Sequence, residues 1–259
     1  MNSRKFVAKS AQLMAAIRAK EHERKERLFT DPFAAKLAGD EVLEMLEEQL
    51  PPQDRLYILI RTRFFDDFII EAVREASQVV ILGSGLDTRA FRLTFPHLTK
   101  LFELDLPEVL ERKVSLLQDA FANCQHYLLK ADISQPWEHL LLEEGYQVSQ
   151  PAVFLIEGLV MYLKESQVHS LIQTISKLTA TGSYLGLDVI DTKALKKQQG
   201  LFQGYLRSGF DNPQDMLAMY DWDAEVFRPG ENKLDYFDRY RQAFSIEEQQ
   251  SYLIKAQKK

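Results

Sequence analysis

The sequence predicts an α/β protein with a mostly parallel sheet flanked by helices and preceded by a helical block. Three observations carry that expectation. Short apolar runs recur from residue 78 onward with helical or turn segments between them, the pattern of a parallel sheet covered on both faces. The first run, Val79-Val-Ile-Leu82, enters a glycine loop, Gly83-Ser-Gly-Leu-Asp-Thr-Arg-Ala-Phe-Arg92, as strands do where α/β proteins cradle a nucleoside cofactor. Ahead of it, residues 1–77 contain one glycine, Gly39, and read as helices.

Ser10–Glu26 is rich in Ala, Lys, Arg, Glu and Leu and predicts the first helix. Thr30-Asp31-Pro32 restarts a short one, with a capping residue ahead of a first-turn proline. Glu41–Gln49 and Asp54–Glu75 continue the block, and Leu56, Ile60, Phe64, Phe68 and Val73 in the latter recur as an apolar stripe. Strands are expected at Val79–Leu82, Leu101–Asp105, Tyr127–Ala131, Ala152–Ile156 and Tyr184–Val189, with a helix around Glu108–Leu117. Ala224–Arg228 and Ser251–Ala256 complete seven, and a short return strand at the end predicts an antiparallel edge. The domain expectation is a helical cap over 1–77 integrated with a core over 78–259, with a late substrate-side insertion at about 194–222.

At 259 residues, 46% hydrophobic and 27% charged, the chain suits one globular domain. Its formal charge of −6 argues against a general nucleic-acid binder, which needs a basic face. No stretch approaches the ~20 apolar residues of a membrane span, and no signal-peptide pattern opens the sequence. A lone cysteine, Cys124, rules out an internal disulfide, suits a cytoplasmic location and reads as an apolar filler.

Ligands of open α/β sheets gather beyond the carboxyl ends of the strands. Those ends carry Gly83, Gly85 and Asp87, then Glu103 and Asp105, then Asp132, then Glu157 and Gly158. The two early glycines permit a sharp turn and close approach of a ligand. Asp87 disfavours a pyrophosphate, so an acidic rim matches a sulfonium cofactor better than a nicotinamide dinucleotide. S-adenosylmethionine is therefore the expected cofactor and no metal is expected. Asp105 is placed to accept ribose hydroxyls, or to cap the following helix with Pro107 in its first turn. Asp132 is read as an adenine contact or a turn cap. Glu157 interrupts the apolar run Val153-Phe-Leu-Ile-Glu-Gly-Leu-Val-Met161, so it needs either a ligand or an arginine partner, Arg61 or Arg89.

Several linked stretches resemble the leucine carboxyl methyltransferase family, in its bacterial O-methyltransferase branch. They are Val79–Leu93, Phe102–Lys113, Ala131-Asp-Ile133 and Leu155–Leu163, with Ile17-Arg-Ala19, Leu28–Ala35 and Ile60-Arg-Thr-Arg-Phe-Phe-Asp66 upstream. The resemblance spans nearly the whole chain and implies a Rossmann-like class I methyltransferase fold, a seven-stranded sheet with an antiparallel last strand. It also implies that Arg61 binds the carboxylate of the cofactor's methionine portion. Gly83 would then line the loop, Asp105 hold ribose, Asp132 and Ile133 meet adenine, and Glu157 lie near the amino group. Ser84, where the family often has alanine, Gly85, Asp87 and Leu106 complete the expected cofactor set. Residues 209–222 look like the family's variable late region.

The expected reaction is O-methylation of a carboxylate on a small acceptor, with a protein C-terminal carboxylate and a non-catalytic binding scaffold as alternatives. A carboxylate is ionised at neutral pH and needs no base, whereas a hydroxyl acceptor does. None of His22, His97, His126, His139 and His169 falls directly at a strand end. Such an acceptor needs a cation, for which Arg18, Arg89 and Arg92 are candidates. Tyr162, Phe202, Tyr205 and Phe210 are candidates for an apolar acceptor wall, or for ordinary core.

Overall fold

In a computed structural model of the chain, the residues described are 3–198, 203–229 and 251–259. Phe202 and part of the expected 194–222 insertion lie outside them. Four helices come first: α1 (Ser3–His22), α2 (Ala34–Ala38), α3 (Asp40–Gln49) and α4 (Pro52–Ala72). Helix α1 ends before the expected Glu26 because the chain folds back. Glu21 sends its carboxylate forward to accept from the Leu28 amide at 2.6 Å. Asp31 is not the cap of α2, which begins after Phe33. Buried at 1% exposure, it instead faces arginines.

The strands are β1 (Gln78–Leu82), β2 (Lys100–Asp105), β3 (Gln125–Lys130), β4 (Ala152–Ile156), β5 (Tyr184–Ile190), β6 (Trp222–Phe227) and β7 (Ser251–Lys258). All seven expected strands form, with ends displaced by up to two residues. Their order is β3-β2-β1-β4-β5-β7-β6, with the first five parallel and β7 antiparallel to both neighbours. The expected antiparallel edge is thus corrected. Strand β7 inserts between β5 and β6, and β6 takes the edge, where its burial alternates. Strands β1 and β4, by contrast, are buried at every position, because both of their faces are covered.

Alternate strand residues feed two cores. Val79, Ile81, Leu101, Val153 and Leu155 pack with the cap helices, including Leu13, Leu37, Leu46, Phe64 and Phe68. Val80, Leu82, Phe102, Leu104 and Phe154 face the other way, against Val168, Ile172 and Ile175 of α5 (Glu165–Leu178) and Trp222. Helix α4 carries more than the one expected stripe. Ile58 through Thr62, and Phe64, Phe65, Asp66, Phe68 and Ile69, are all buried, so it lies inside the structure rather than along its surface. That placement brings Arg61 and Asp66 under the cap and over the strand ends. Strand order reverses between β1 and β4, which opens the crevice where a ligand is expected.

Candidate active site

At that crevice lies a cavity of about 910 Å³, bounded by α1, α4 and the loops after β1, β2, β3 and β4. Ligand pockets run from ~300 to 1,000 Å³, so this one has room for a nucleoside-sized cofactor beside a second molecule. It brings together Gly83, Ser84, Gly85, Asp87, Asp105, Leu106, Asp132, Ile133, Glu157 and Arg61, along with Arg18, Arg89 and Tyr162. Glu103, expected at the same rim, is not among its walls. It is fully buried beneath, paired with Lys113 and accepting from or facing His126 Nε2 at 2.8 Å.

The glycine loop folds as its residues require. Gly83 and Gly85 have φ of +64° and +55°, the left-handed region that a Cβ disfavours. The Gly85 amide donates to Asp105 Oδ2 at 2.6 Å, and the Leu106 amide to Oδ1 at 2.6 Å. Asp105 is not the cap of the helix Pro107–Leu117; Leu106 holds that position. Its carboxyl is pushed above the ordinary range by burial, against the pull of those two amides. Ser84 Oγ is buried in the loop with no partner among the described residues. Asp132 is exposed and forms a turn cap, accepting from the Ser134 amide and hydroxyl at 3.0 and 2.7 Å.

Two members of the acidic rim expected from the sequence, Asp87 and Glu157, belong to a connected ion network. Glu157 is held by both arginines that its position called for: Arg61 Nε at 3.0 Å and Arg89 Nη2 at 2.8 Å. Arg61 Nη1 reaches on to Asp188 Oδ2 at 3.0 Å, and Asp188 also accepts from Tyr57 Oη and the Gly158 amide. Gly158 makes room for this, since a Cβ there would stand 3.1 Å from Arg61 Nη2. Arg89 binds Asp87 and Asp66, Arg92 clasps Asp66 through both Nη atoms, and Arg18 binds Asp31 at 2.8 Å. Four buried arginines therefore stand among five carboxylates, Asp31, Asp66, Asp87, Glu157 and Asp188.

This corrects the electrostatic reading of Asp87 as a free negative charge, whereas Glu157 takes the arginine partners that were its alternative. Burial alone would raise the carboxyl of Asp87, but Arg89, then Lys113 and Arg92, hold it well below the carboxylate range. Glu157 is likewise lowered against its burial by Arg89 and Arg61. Asp188 goes the other way: burial raises it more than Arg61 lowers it. The one-charge formal excess of acid, with Asp105 beside it, still fits a cofactor carrying a sulfonium, an ammonium and one carboxylate. Arg61 and Glu157, already facing each other, offer opposite charges for the two ends of an amino acid.

Sequence reasoning missed Asp188 and underweighted Asp31 and Asp66. Asp188 interrupts Leu185-Gly-Leu-Asp-Val-Ile190 as Glu157 interrupts its own strand, so the same signal was present. On the acceptor side, Tyr162 and Tyr205 line the cavity, whereas Phe210 is core, edge-on to His169. Phe6 of α1 stacks on Tyr205 at 3.7 Å between centroids and meets Tyr162 edge-on at 5.7 Å.

The sequence model for leucine carboxyl methyltransferase matches residues 11–176. The chain belongs to that family. A candidate S-adenosyl-L-methionine-dependent methyltransferase of Streptomyces coelicolor is 32% identical over 86% of this chain and 85% of its own. One from Mycobacteroides abscessus is 34% identical over 91% and 79%. Among solved structures, a DUF574 family protein of Streptomyces avermitilis superposes with a TM-score of 0.68 at 12% identity, over 95% of this chain and 97% of that one. Magnesium protoporphyrin IX methyltransferase of Synechocystis, solved with S-adenosylhomocysteine, gives 0.52 at 13% identity over 82% and 89%. At such identities the likeness is one of fold, the class I methyltransferase sheet. The family's match also runs through α1 and α4, so the cap over this methyltransferase's cavity is part of what is shared.

Proposed function

We propose that this methyltransferase esterifies the carboxylate of a small organic acid. S-adenosylmethionine is its methyl donor. The observation that carries the acceptor reading is the absence of any histidine from the cavity walls among the described residues. In-line displacement at a sulfonium needs donor and acceptor aligned and water excluded. A carboxylate arrives ionised, and no proton has to be removed.

The cofactor roles follow the same reading. Asp105 takes the ribose hydroxyls, Ile133 and Asp132 flank adenine, and the Arg61–Glu157 pair receives the carboxylate and ammonium of the methionine portion. Gly83, Ser84, Gly85 and Leu106 form the loop walls, and the buried Ser84 hydroxyl is positioned to hydrogen-bond the ligand. Asp87 fixes Arg89 rather than touching the cofactor. A cytoplasmic setting belongs to the same reading, on the ground that a sequence with one cysteine forms no internal disulfide. Among the described residues no helix is long and apolar enough to cross a membrane.

One observation favours a hydroxyl acceptor instead. Asp54, an exposed residue in the first turn of α4, lines the cavity with a carboxyl raised by partial desolvation, the direction a general base needs. Calorimetric titration with S-adenosylhomocysteine tests the cofactor site. Labelled donor incubated with organic acids, with matched alcohols and with lysate proteins tests the acceptor. Label in base-labile esters of small acids is the expected result. Label retained on alcohols, and lost in Asp54→Asn, would replace the carboxylate reading; label on protein termini would move it to a macromolecular acceptor.

A further inference from the structure

Among the described residues, five arginines line the cavity: Arg18, Arg61, Arg89, Arg92 and Arg207. The first four are spent on buried carboxylates. The Arg207 guanidinium is exposed and makes no hydrogen bond or ion pair with any described residue. Its backbone is nonetheless fixed. The Arg207 amide donates to Met161 O at 2.7 Å, and the next residue's hydroxyl, Ser208 Oγ, donates to Val160 O at 3.0 Å. Arg207 is thereby clipped to the turn that follows β4, whose end carries Glu157. Two residues before it, Tyr205 joins the Phe6 and Tyr162 ring cluster.

We infer that Arg207 is the acceptor-recognition residue, pairing with the carboxylate of an organic acid whose apolar body lies against Phe6, Tyr162 and Tyr205. The inference rests on the carboxylate reading of the proposed reaction. It also displaces Arg18, Arg89 and Arg92 as the candidate substrate cations, since the charge of each is already answered by a buried acid. One carboxylate oxygen is held by the guanidinium while the other forms the bond to the methyl carbon. The carbon–sulfur bond breaks with its electron pair staying on sulfur, and no proton moves. The ester product has lost the charge that Arg207 holds, which favours its release.

The test uses wild type, Arg207→Ala and Arg207→Lys with a panel of aliphatic and aromatic monocarboxylic acids, labelled S-adenosylmethionine, and S-adenosylhomocysteine titration. Arg207→Ala should raise KM for acids roughly ten- to a hundredfold, the loss of one charge-assisted contact, while kcat falls less. Arg207→Lys should recover part of that, keeping charge without the planar fork. Affinity for S-adenosylhomocysteine should stay within about twofold, which a folding defect would not allow. Acids esterified by Arg207→Ala with unchanged KM would overturn the inference alone. A fall in S-adenosylhomocysteine affinity would assign Arg207 to the cofactor and overturn it too. Failure of wild type to esterify any acid would overturn the carboxylate reading and this inference together.

Discussion

Arg61 is the residue at which structural and ligand roles can be separated. It is 8% exposed and bridges Glu157 and Asp188. Replacing it with methionine keeps the aliphatic stem and removes the guanidinium. Glu157 still has Arg89 at 2.8 Å, but Asp188 is left with only the Gly158 amide at 2.6 Å and the Tyr57 hydroxyl at 3.2 Å. Breaking a buried pair costs ~3–5 kcal/mol, and the surviving Arg89 contact puts the expected loss near the lower end, about 3 kcal/mol. Urea unfolding without ligand reads this as a lower midpoint at unchanged slope. The deficit should depend on pH with a definite sign. Asp188, already raised by burial, loses the arginine that lowered it. Its folded state then holds a proton that the unfolded chain has released, so the deficit shrinks as pH falls through the folded value toward ~4. Adding Asp188→Asn should restore most of the stability, because the uncompensated charge is gone. Affinity for S-adenosylhomocysteine should not return with it. Loss of the proposed charge-assisted contact to the cofactor's carboxylate should leave the double variant roughly tenfold or more weaker. A double variant as unstable as the single one would refute the account of the network. Wild-type affinity in a stability-restored double variant would refute the ligand role.

Three further outcomes are expected. Asp105→Ala should weaken S-adenosylhomocysteine roughly ten- to a hundredfold by calorimetry, because it removes the anchor of the Gly85 and Leu106 amides and, with it, the proposed ribose acceptor. Lys113→Ala should cost ~3–5 kcal/mol by stranding the fully buried Glu103, whereas Lys113→Met with Glu103→Gln should recover most of it with little change in cofactor affinity. Asp87, Glu103 and Glu157 all sit below the ordinary carboxyl range in the folded protein. Their stabilisation is therefore complete above the unfolded value of ~4 and lost as pH falls further, so acid unfolding should be steep below about pH 4 and shallower in Glu103→Gln.

Strands β1 and β4 were legible because burial on both faces turns them into nearly uninterrupted apolar runs, and β2 and β5 because each is apolar but for a single interior acid, Glu103 or Asp188. The site was legible where an acid breaks such a run, as at Glu157, or ends one, as at Asp105. What local pattern does not carry is pairing. Arg61 and Asp188 are 127 positions apart, and nothing near either says that the other will meet it. The same limit explains the substrate cations. Arg18, Arg89 and Arg92 read as available because their charge is visible in the sequence and most of their partners are not, while Arg207 lay in the expected late insertion, just ahead of the variable 209–222 stretch, and carried no local signal of its own. Strand order is equally non-local: Ser251–Ala256 reads as a strand, but nothing within it says that it will pair with β5 on one side and β6 on the other.

The tied state of the arginines bears on the proposed chemistry itself. Methyl transfer from a sulfonium to a carboxylate destroys a positive and a negative charge together, so the ground state is the more strongly solvated one. Water, or a loose counter-charge beside the sulfur, stabilises the reactants more than the transition state and slows the step. A free Glu157 or Asp87 would compete with the acceptor as the sulfonium's partner. Bound to Arg61 and Arg89, both carboxylates have their charge already answered. In the cavity lined by α1, the acceptor carboxylate, held at one oxygen by Arg207 in the proposed geometry, then meets the sulfonium through its other oxygen without a protein carboxylate competing for that place. By this reasoning Arg89→Met, which frees Asp87 and half of Glu157, should lower kcat more than it weakens S-adenosylhomocysteine, a ligand without the sulfonium charge. An equal effect on both would mean that the arginine serves only to hold the pocket in shape.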